Sequence, residues 1–269
     1  MRIEDKSRSF LERVVHRLYG RLIAAHIQDP LVKQRVKMLW YAPGYWPLFL
    51  LWSLPFRTRL ILLGRFLRID WCVLHGHTPF QCAAVCRALA QRPVLPGEAM
   101  VEAGCWQGGS SAKWSILCKT LGYTLAVYDS FEGVEGSRPP EGEYDYSGEY
   151  AADERVFWTN VKRYGEAEVC RTYRGWFSDT MAPGKIPYKV RAAYIDCDTA
   201  KGTKEALAGL APVLTGCAFV FSQDCHIPSV LRLLVDPATW RDLGVAAPIM
   251  TRMDRRLVRF EVETGRQHV

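Results

Sequence analysis

The sequence predicts an α/β fold in which helices cover both faces of a mainly parallel β-sheet. From residue 99 onward, short apolar runs alternate with amphipathic helical patterns, which is typical of parallel sheets built from strand–helix units. About half of the 269 residues are apolar (49%), so the chain can bury a sizeable core. A glycine-rich turn follows the first strand of the alternating region. These features predict one main domain over residues 96–269, preceded by an extension over residues 1–95.

The main domain contains a regular series of predicted elements. In order, these are a strand at 99–103, a helix at 110–120, a strand at 124–128, a helix at 152–164, strands at 168–173 and 190–195, a helix at about 203–214, a strand at 218–222, a helix beginning at 229–235, and a closing hairpin of 248–253 and 256–262. Because parallel strands bind ligands at their carboxyl ends, we expect the functional site at that edge of the sheet.

Residues 1–95 predict a basic, helical N-terminal extension. Apolar residues recur at helical spacing from Phe10 to Ile23, and further helical patterns cover residues 57–68 and 80–91. The extension holds 15 Lys and Arg against 5 Asp and Glu, a net charge of +10, whereas the rest of the chain carries −3. Residues 40–68 combine aromatic side chains with arginines. The simpler interpretation is a cap that forms a lid or a homo-oligomer contact; the alternative is contact with a membrane surface or a lipophilic substrate.

Several classes of protein are not favoured by the sequence. The nine cysteines lack the paired spacing of a zinc site and fit reduced thiols. The first residues mix acids and bases without the apolar core of a signal peptide, and the longest apolar run, residues 45–56, is short and interrupted by proline. The sequence contains no recognised nucleic-acid motif. We therefore expect a cytoplasmic protein with a small-molecule substrate and no nucleic-acid partner.

The glycine-rich turn is Glu102-Ala-Gly104-Cys-Trp-Gln-Gly108-Gly109-Ser110. A strand, a glycine turn and a helix N-terminus form a natural site for the polar end of a ligand. The turn lacks the G-x-G-x-x-G spacing of dinucleotide sites and the lysine that follows the last glycine of a P-loop. Its E-x-G-x-x-x-G pattern resembles the first loop of enzymes that use S-adenosylmethionine (SAM), although an ordinary tight turn would also explain it.

The end of the second strand favours the SAM interpretation. Asp129 ends the strand and lies roughly 20 residues after the glycine loop, where a carboxylate can accept hydrogen bonds from both ribose hydroxyls. The following residues, Ser130-Phe-Glu-Gly133, turn away from the strand. A carboxylate at a strand end could instead be a simple cap, but the glycine loop and the acid together indicate a nucleoside-containing cofactor.

Six sequence blocks resemble the macrocin O-methyltransferase family. They are VEAGCWQGGSSAK, YDSFEG, residues 149–164 with NVKRYG, RGWFSDT, YIDCD and GTKEAL, in the order of that family and covering residues 96–226. The family contains metal-dependent and SAM-dependent methyltransferases that modify sugar hydroxyls of macrolides and related bacterial products. The resemblance implies a Rossmann-like class I methyltransferase sheet. The first 80 residues match none of its motifs.

The resemblance also implies which residues bind the cofactor. Residues of the glycine loop would surround the methionine part of SAM, those after the second strand would hold the ribose, and a third group would meet the adenine. The three groups are Glu102, Gly104, Trp106, Gly108 and Ser110; Asp129, Ser130 and Phe131; and Gly175, Trp176 and Phe177.

A metal site is implied at the next two strand ends. Asp196 and Asp224 match the metal-binding aspartates of the family, and the side-chain carbonyl of Gln223 could be a further ligand for Mg²⁺, which prefers oxygen. The chain departs from the family at two places. It has Asp198-Thr-Ala-Lys-Gly-Thr203 where the family commonly has D-L-Y-x-S-T, and Gln223-Asp224 where the family commonly has two adjacent acids.

The sequence predicts a SAM-dependent O-methyltransferase that acts on a hydroxyl of a small natural product or saccharide with the help of Mg²⁺. Asp196 is a predicted catalytic residue as well as a metal ligand, and His226 is the predicted general base because its ordinary pKa suits that role. Asp198 is expected to cap the next helix, and His75 and His77 to serve at a helix start or on the surface, with a place in a lid that reaches the active site as the alternative. The alternatives are metal-independent N- or C-methylation and SAM binding without methyl transfer, in a scaffold or a cyclase-like catalyst.

Overall fold

The computed structural model describes residues 4–5, 27–91, 94–136 and 138–263, with residues 4–5 described as backbone alone. Its strands are β1 (Glu4–Asp5), β2 (Glu98–Ala103), β3 (Thr124–Asp129), β4 (Cys170–Arg174), β5 (Lys189–Ile195), β6 (Leu214–Ser222), β7 (Ile249–Arg252) and β8 (Val258–Glu263). Its α-helices are α1 (Pro30–Tyr41), α2 (Phe56–Cys72), α3 (Pro79–Ala90), α4 (Gly109–Leu121), α5 (Glu154–Tyr164), α6 (Phe177–Thr180), α7 (Ala200–Leu210), α8 (Pro228–Val235) and α9 (Pro237–Asp242). Short 3-10 helices cover Ala42–Leu50, Ala167–Val169 and Ala211–Val213.

One sheet contains all the described strands, in the order β1-β7-β8-β6-β5-β2-β3-β4. Strands β2 to β6 are parallel to one another, β8 runs antiparallel to both β6 and β7, and β1 is parallel to β7. The predicted mainly parallel sheet and closing hairpin are therefore confirmed. The largest boundary error concerns the helix predicted at 203–214, because α7 ends at Leu210 and β6 already begins at Leu214.

Helices cover both faces of the sheet, as predicted, and each face has its own apolar core. The first core joins Phe66 of α2 and Leu89 of α3 to Trp114 of α4 and to Phe219 of β6. The second core joins α7, α8 and α9 to the opposite side of the strands, with Trp240 at its edge. Every residue of β2 is buried, which explains why this strand reads as an almost continuous apolar run.

The N-terminal extension packs on the first face, in contact with α4 and α5. Asp29 caps α1 through the Val32 amide, and Thr78 and Gln81 form a capping box at the start of α3. None of the helices in the described ranges is long and apolar enough to cross a membrane. The helical spacing noted between Phe10 and Ile23 lies outside the described residues.

Candidate active site

A cleft opens at the carboxyl ends of the parallel strands, where the sequence predicted the site. Its walls come from the glycine loop, the end of β3, the ends of β5 and β6, and the segment between α2 and α3. Its lining residues include Leu74, His75, Gly76, His77, Gly104, Cys105, Trp106, Ser110, Asp129, Ser130, Tyr150, Gly175, Trp176, Phe177, Asp196, Asp198, Gln223 and Arg256.

The glycine loop joins β2 to α4 by two left-handed turns. Gly104 has φ +87°, and a Cβ at this position would overlap the backbone oxygen of Asp196. Gly108 has φ +81°, and a Cβ there would lie 2.8 Å from the ring of Phe157. Both positions need glycine for two reasons, conformation and space, so this loop can pass close to the neighbouring strand end.

Asp129 ties the first loop to the second. Its Oδ2 accepts hydrogen bonds from the backbone amides of Cys105 (2.7 Å) and Trp106 (3.3 Å), and its Oδ1 accepts one from Phe131 (2.7 Å). The carboxylate also faces the cleft. Asp129 therefore combines two roles, because it orders the glycine loop and presents an acceptor to a ligand.

The structure places eight of the eleven predicted cofactor residues in the cleft wall and three behind it. Gly104, Trp106, Ser110, Asp129, Ser130, Gly175, Trp176 and Phe177 line the cleft. Glu102 lies beneath the glycine loop, where its Oε2 accepts a hydrogen bond from Ser111. Desolvation raises the pKa of Glu102 to about 8. Gly108 and Phe131 pack against Phe157. These three residues shape the loops rather than face a ligand.

Backbone strain is concentrated around the cleft. Among the described residues, Trp106, Phe131, Tyr150 and Asp198 are the non-glycine residues with positive φ, between 48° and 59°. Three of the four line the cleft, and Phe131 follows the lining residue Ser130. Residues in this region of φ cost free energy and persist where the surroundings fix them, which occurs most often at binding and catalytic sites.

Three aspartates meet at the ends of β5 and β6. One carboxylate oxygen from each of Asp196, Asp198 and Asp224 lies within 4.8 Å of the others. The hydrogen bonds of the sheet continue for one residue beyond β5 and β6. The backbone amide of Asp196 donates to the carbonyl of Ala103 (2.9 Å), and that of Gln223 donates to the carbonyl of Ile195 (2.9 Å). Asp224 is fully buried beneath the cleft, and its Oδ2 accepts hydrogen bonds from the amides at 197 and 198.

Crowding and burial raise the pKa of each acid in this cluster. Desolvation raises the pKa of Asp196 to about 6. Desolvation and the charges of Asp224 and Asp196 raise the pKa of Asp198 to about 9. Burial and the charge of Asp196 also raise the pKa of Asp224 well above its usual range. Ionisation of these three acids therefore costs free energy, and a bound cation would offset that cost.

The prediction for Asp198 was wrong. Thr199 is the N-cap of α7 and accepts a hydrogen bond from the Gly202 amide at 3.0 Å. Asp198 instead has φ +55° and lies in the cleft wall with Asp196. The left-handed turn at Asp198 frees the carboxylate from the helix start, so the cluster has three acids where the sequence suggested two.

Gln223 lies beside the acids, as predicted. With its amide nitrogen turned toward the carboxylates, it donates to Asp196 Oδ1 at 3.0 Å and to Asp224 Oδ1 at 3.2 Å. Gln223 thus adds hydrogen-bond donors at a position where a second adjacent acid would add more negative charge.

His75 and His77 are buried in the cleft wall, which corrects the expectation of a helix-start or surface role. His77 Nε2 lies 3.2 Å from Asp196 Oδ2, and His75 Nε2 lies 2.7 Å from Asp70 Oδ1. Asp70 in turn pairs with the fully buried Lys113. Burial and the nearby Lys113 charge lower the pKa of both imidazoles to about 3, so both are neutral at pH 7.

His226 lies outside the cleft lining. Its Nε2 is 3.3 Å from the Nη2 atom of Arg256, which does line the cleft. Burial and the charges of Arg256 and Arg255 lower the pKa of His226 to about 4. In this structure the imidazole that faces the acids is that of His77, and His226 stands behind Arg256.

An acidic loop closes one side of the cleft. Within this loop, residues 132–149, the cleft is lined by Gly133, Val134 and Glu135, and Tyr150 directly after the loop also lines it. The amide of Val134 donates to Glu149 (2.9 Å), and that of Gly148 donates to Val134 (2.9 Å), so the two ends of the loop are joined. Glu143 anchors its outer part by hydrogen bonds to Ser229 and Arg232 of α8.

A family model and several solved structures match this chain. The model described as "Macrocin-O-methyltransferase (TylF)" matches residues 78–260, which is more than half of the chain. The structure of the O-methyltransferase NovP is 22% identical, covers 71% of this chain and 84% of its own, and has a TM-score of 0.56. The similarity to NovP supports the same fold.

Two further structures match with lower scores. Calicheamicin methyltransferase CalS11 is 16% identical, with 95% of this chain and 94% of its own covered and a TM-score of 0.49. The SAH-bound methyltransferase PaMTH1 of Podospora anserina is 10% identical, with 97% and 100% covered and a TM-score of 0.49. A search of curated protein sequences found no match.

Proposed function

The chain belongs to the macrocin O-methyltransferase family, and on this premise we propose that it transfers the methyl group of SAM to a hydroxyl of a small natural product or saccharide, with the assistance of Mg²⁺. Membership makes it a SAM-dependent methyltransferase. The observation that carries the finer proposal is the position of the three-aspartate cluster, which lies in the same cleft as the glycine loop.

The cofactor half of the cleft suits SAM. The open N-terminus of α4 and the Ser110 hydroxyl can meet the methionine carboxylate, since helix N-termini favour anions. Asp129 can accept both ribose hydroxyls while it keeps its bonds to the loop amides. Trp176 and Phe177 supply apolar surface for the adenine. Together these residues would direct the sulfonium methyl group toward the acids.

The aspartate cluster fits a divalent cation. Mg²⁺ prefers carboxylate and other oxygen ligands, and it often retains several waters. Asp196 and Asp224 would be the main ligands, with Asp198 as a further oxygen on the cleft side. The Gln223 carbonyl would join them if the ion turned its amide away from the hydrogen bonds to the carboxylates. The raised pKa values support this assignment, because a bound cation would offset the repulsion among the three acids. When bound, the ion would lower the pKa of an acceptor hydroxyl and orient it.

His77 and Asp196 are the groups positioned to accept the proton of the acceptor hydroxyl. Among the described residues, neither ring nitrogen of the buried His77 has an aligned hydrogen-bond partner, so the neutral imidazole is available to an acceptor. The hydroxyl oxygen would attack the methyl carbon as the carbon–sulfur bond breaks, which releases S-adenosylhomocysteine (SAH). The hydroxyl proton would pass to Asp196 or His77, which face each other at 3.2 Å.

The proposal can be tested in two steps. Calorimetry should show SAM and SAH binding to the purified protein. Transfer of labelled methyl groups to a panel of hydroxylated glycosides and sugar nucleotides should then stop with a chelator and resume with Mg²⁺. Methyl transfer that continues unchanged in the presence of the chelator would contradict the metal assignment and favour metal-independent chemistry. SAM binding without transfer to any acceptor class would favour a protein that has lost catalysis.

A further inference from the structure

A second feature lies on the outside of the N-terminal extension. Large apolar side chains of α1, the Ala42–Leu50 3-10 helix, the turn after it and α2 are exposed there, and we call this surface the aromatic face. Its strongly exposed members include Trp52 (77%), Leu39 (67%), Trp46 (59%) and Phe56 (57%). The other members are Trp40, Phe49, Leu50, Leu60, Ile61, Leu67 and Trp71. Apolar surface of this extent on one region of a protein generally marks an interaction site.

Helix α2 is apolar on two sides. Leu62, Phe66 and Ile69 are fully buried and pack into the first core. At about 100° per residue, Phe56, Leu60, Leu67 and Trp71 fall within an arc of roughly 60° on a different side of the helix. The exposed residues of α2 therefore form a stripe along its length, which the described residues of the chain do not bury.

Cation–π contacts connect several members of the aromatic face. The guanidinium of Arg59 lies 5.1 Å from the ring centre of Trp52 and 5.5 Å from that of Phe56. The guanidinium of Arg35 on α1 lies 5.3 Å from the ring centre of Trp71. Leu39 follows Arg35 by one helical turn and so lies on the same side of α1.

Positive charge lies along one edge of this apolar stripe. On α2, Arg57 and Arg68 lie about 100° and 120° around the helix from Phe56, next to the stripe. Residues 27–91 contain eight Lys and Arg against two acids, and one of the acids, Asp70, is buried against Lys113. Exposed tryptophans and leucines beside arginines are the combination that binds the interface of an anionic bilayer.

We propose that the aromatic face docks the protein on the surface of an anionic lipid membrane. The apolar stripe enters the boundary between headgroups and acyl chains, and the arginines meet the lipid phosphates. A second copy of this chain suits the face less well, because a two-fold interface would place the arginine rim against itself. The face is also connected to the cleft, since the chain passes from Trp71 to the lining residues Leu74 and His75 within four residues.

Vesicle flotation of the full-length protein tests this proposal. We expect binding to phosphatidylcholine vesicles that contain phosphatidylglycerol, weaker binding to phosphatidylcholine alone, and loss of binding at high salt. The triple variant Trp52→Ser, Phe56→Ser, Leu60→Ser should reduce partitioning at least tenfold, about the value of losing one buried side chain. Arg57→Glu should weaken binding to the anionic vesicles and leave binding to phosphatidylcholine vesicles unchanged. The matched control is Ile249→Ser, an exposed apolar side chain on β7, which should bind as the parent does.

The other outcomes would overturn the proposal. SAM affinity and the melting temperature of each variant establish that it is folded, and neither measurement depends on the identity of the acceptor. Membrane docking is contradicted if the parent protein does not bind anionic vesicles, or if the triple variant binds them as strongly as the parent does. A concentration-dependent dimer in sedimentation velocity that the triple variant abolishes would assign the aromatic face to a second copy instead.

Discussion

The two halves of the cleft are built in different ways. The cofactor half consists mainly of one strand–loop–helix unit and the end of the next strand, residues 102–131, which are close in sequence and joined through Asp129. The acceptor half brings together His77, Asp196, Asp224 and Arg256, which come from separate parts of the chain. The first half is fixed by local backbone geometry, whereas the second depends on the packing of the whole domain.

Gly104 is the point where the two halves touch, and its substitution should have the largest effect. Gly104→Ala places a methyl group on the Asp196 carbonyl and forces a residue with a side chain to φ +87°. We expect a loss of about 2–4 kcal/mol in the free energy of unfolding, together with loss of SAM binding. Thermal denaturation and calorimetry measure the two effects.

Gly122→Ala is the matched control for this substitution. Gly122 has φ +90° at the end of α4, but a Cβ there meets nothing within 4 Å. Its cost should be about 1 kcal/mol, from the backbone conformation alone, with SAM binding intact. Equal losses in the two variants would mean that contact between the halves contributes nothing.

Asp224→Asn should separate the halves. The change keeps the shape of the side chain but removes one carboxylate from the metal cluster, so Mg²⁺ stimulation of methyl transfer should be lost. Metal affinity should fall by more than the roughly 10–100-fold seen on loss of an outer-shell partner. SAM affinity should stay the same. The control is Asp179→Asn, at an exposed acid on α6, in which Mg²⁺ stimulation and SAM affinity should both be unchanged. A variant that retains full Mg²⁺ stimulation would contradict the cluster as the metal site.

Asp129→Asn should have the opposite pattern. Loss of the charge weakens its hydrogen bonds to the loop amides and to the ribose hydroxyls, and charged hydrogen bonds contribute about 1.5–3 kcal/mol. We expect SAM affinity to fall about 30-fold or more, with Mg²⁺ affinity unchanged. Glu132→Gln, an exposed acid in the following loop, is the control and should bind SAM normally. Unchanged SAM affinity in Asp129→Asn would remove the cofactor assignment.

The difference between the halves also explains what the sequence could predict. The fold, the glycine loop and Asp129 follow from residues that are adjacent along the chain and from periodicity that a strand or helix requires. His77 carries no such pattern, because the capping box of α3 explains Thr78 and Gln81 but says nothing about which residues border the cleft. Asp198 was misassigned because a left-handed turn, which a non-glycine residue seldom adopts, moves the cap to Thr199.

His77→Ala should test which imidazole serves the acceptor half. We expect methyl transfer to slow by about 10–100-fold with SAM affinity unchanged, since general acid–base and orienting groups contribute on that order or more. His226→Ala should have a smaller effect, because His226 does not line the cleft and its ring contacts the lining residue Arg256. A larger loss in His226→Ala than in His77→Ala would restore His226 as the base. Turnover and SAM binding are measured on both variants.

The pH dependence of stability provides the most subtle distinction between the halves. Asp196 and Asp198 have folded-state pKa values raised to about 6 and about 9, so their protonated forms stabilise the fold below the unfolded pKa near 4. That contribution is lost as pH rises through 6 and then 9. With a chelator present, the free energy of unfolding of the parent should therefore fall as pH rises from about 4 to about 9. The fall should exceed that of the double variant Asp196→Asn, Asp198→Asn by at least about 1–2 kcal/mol. Mg²⁺ should reverse the fall in the parent, since the cation favours the ionised acids, and should leave the variant unchanged. A parent and a variant with parallel pH profiles would mean that the acids are not crowded enough to need a cation.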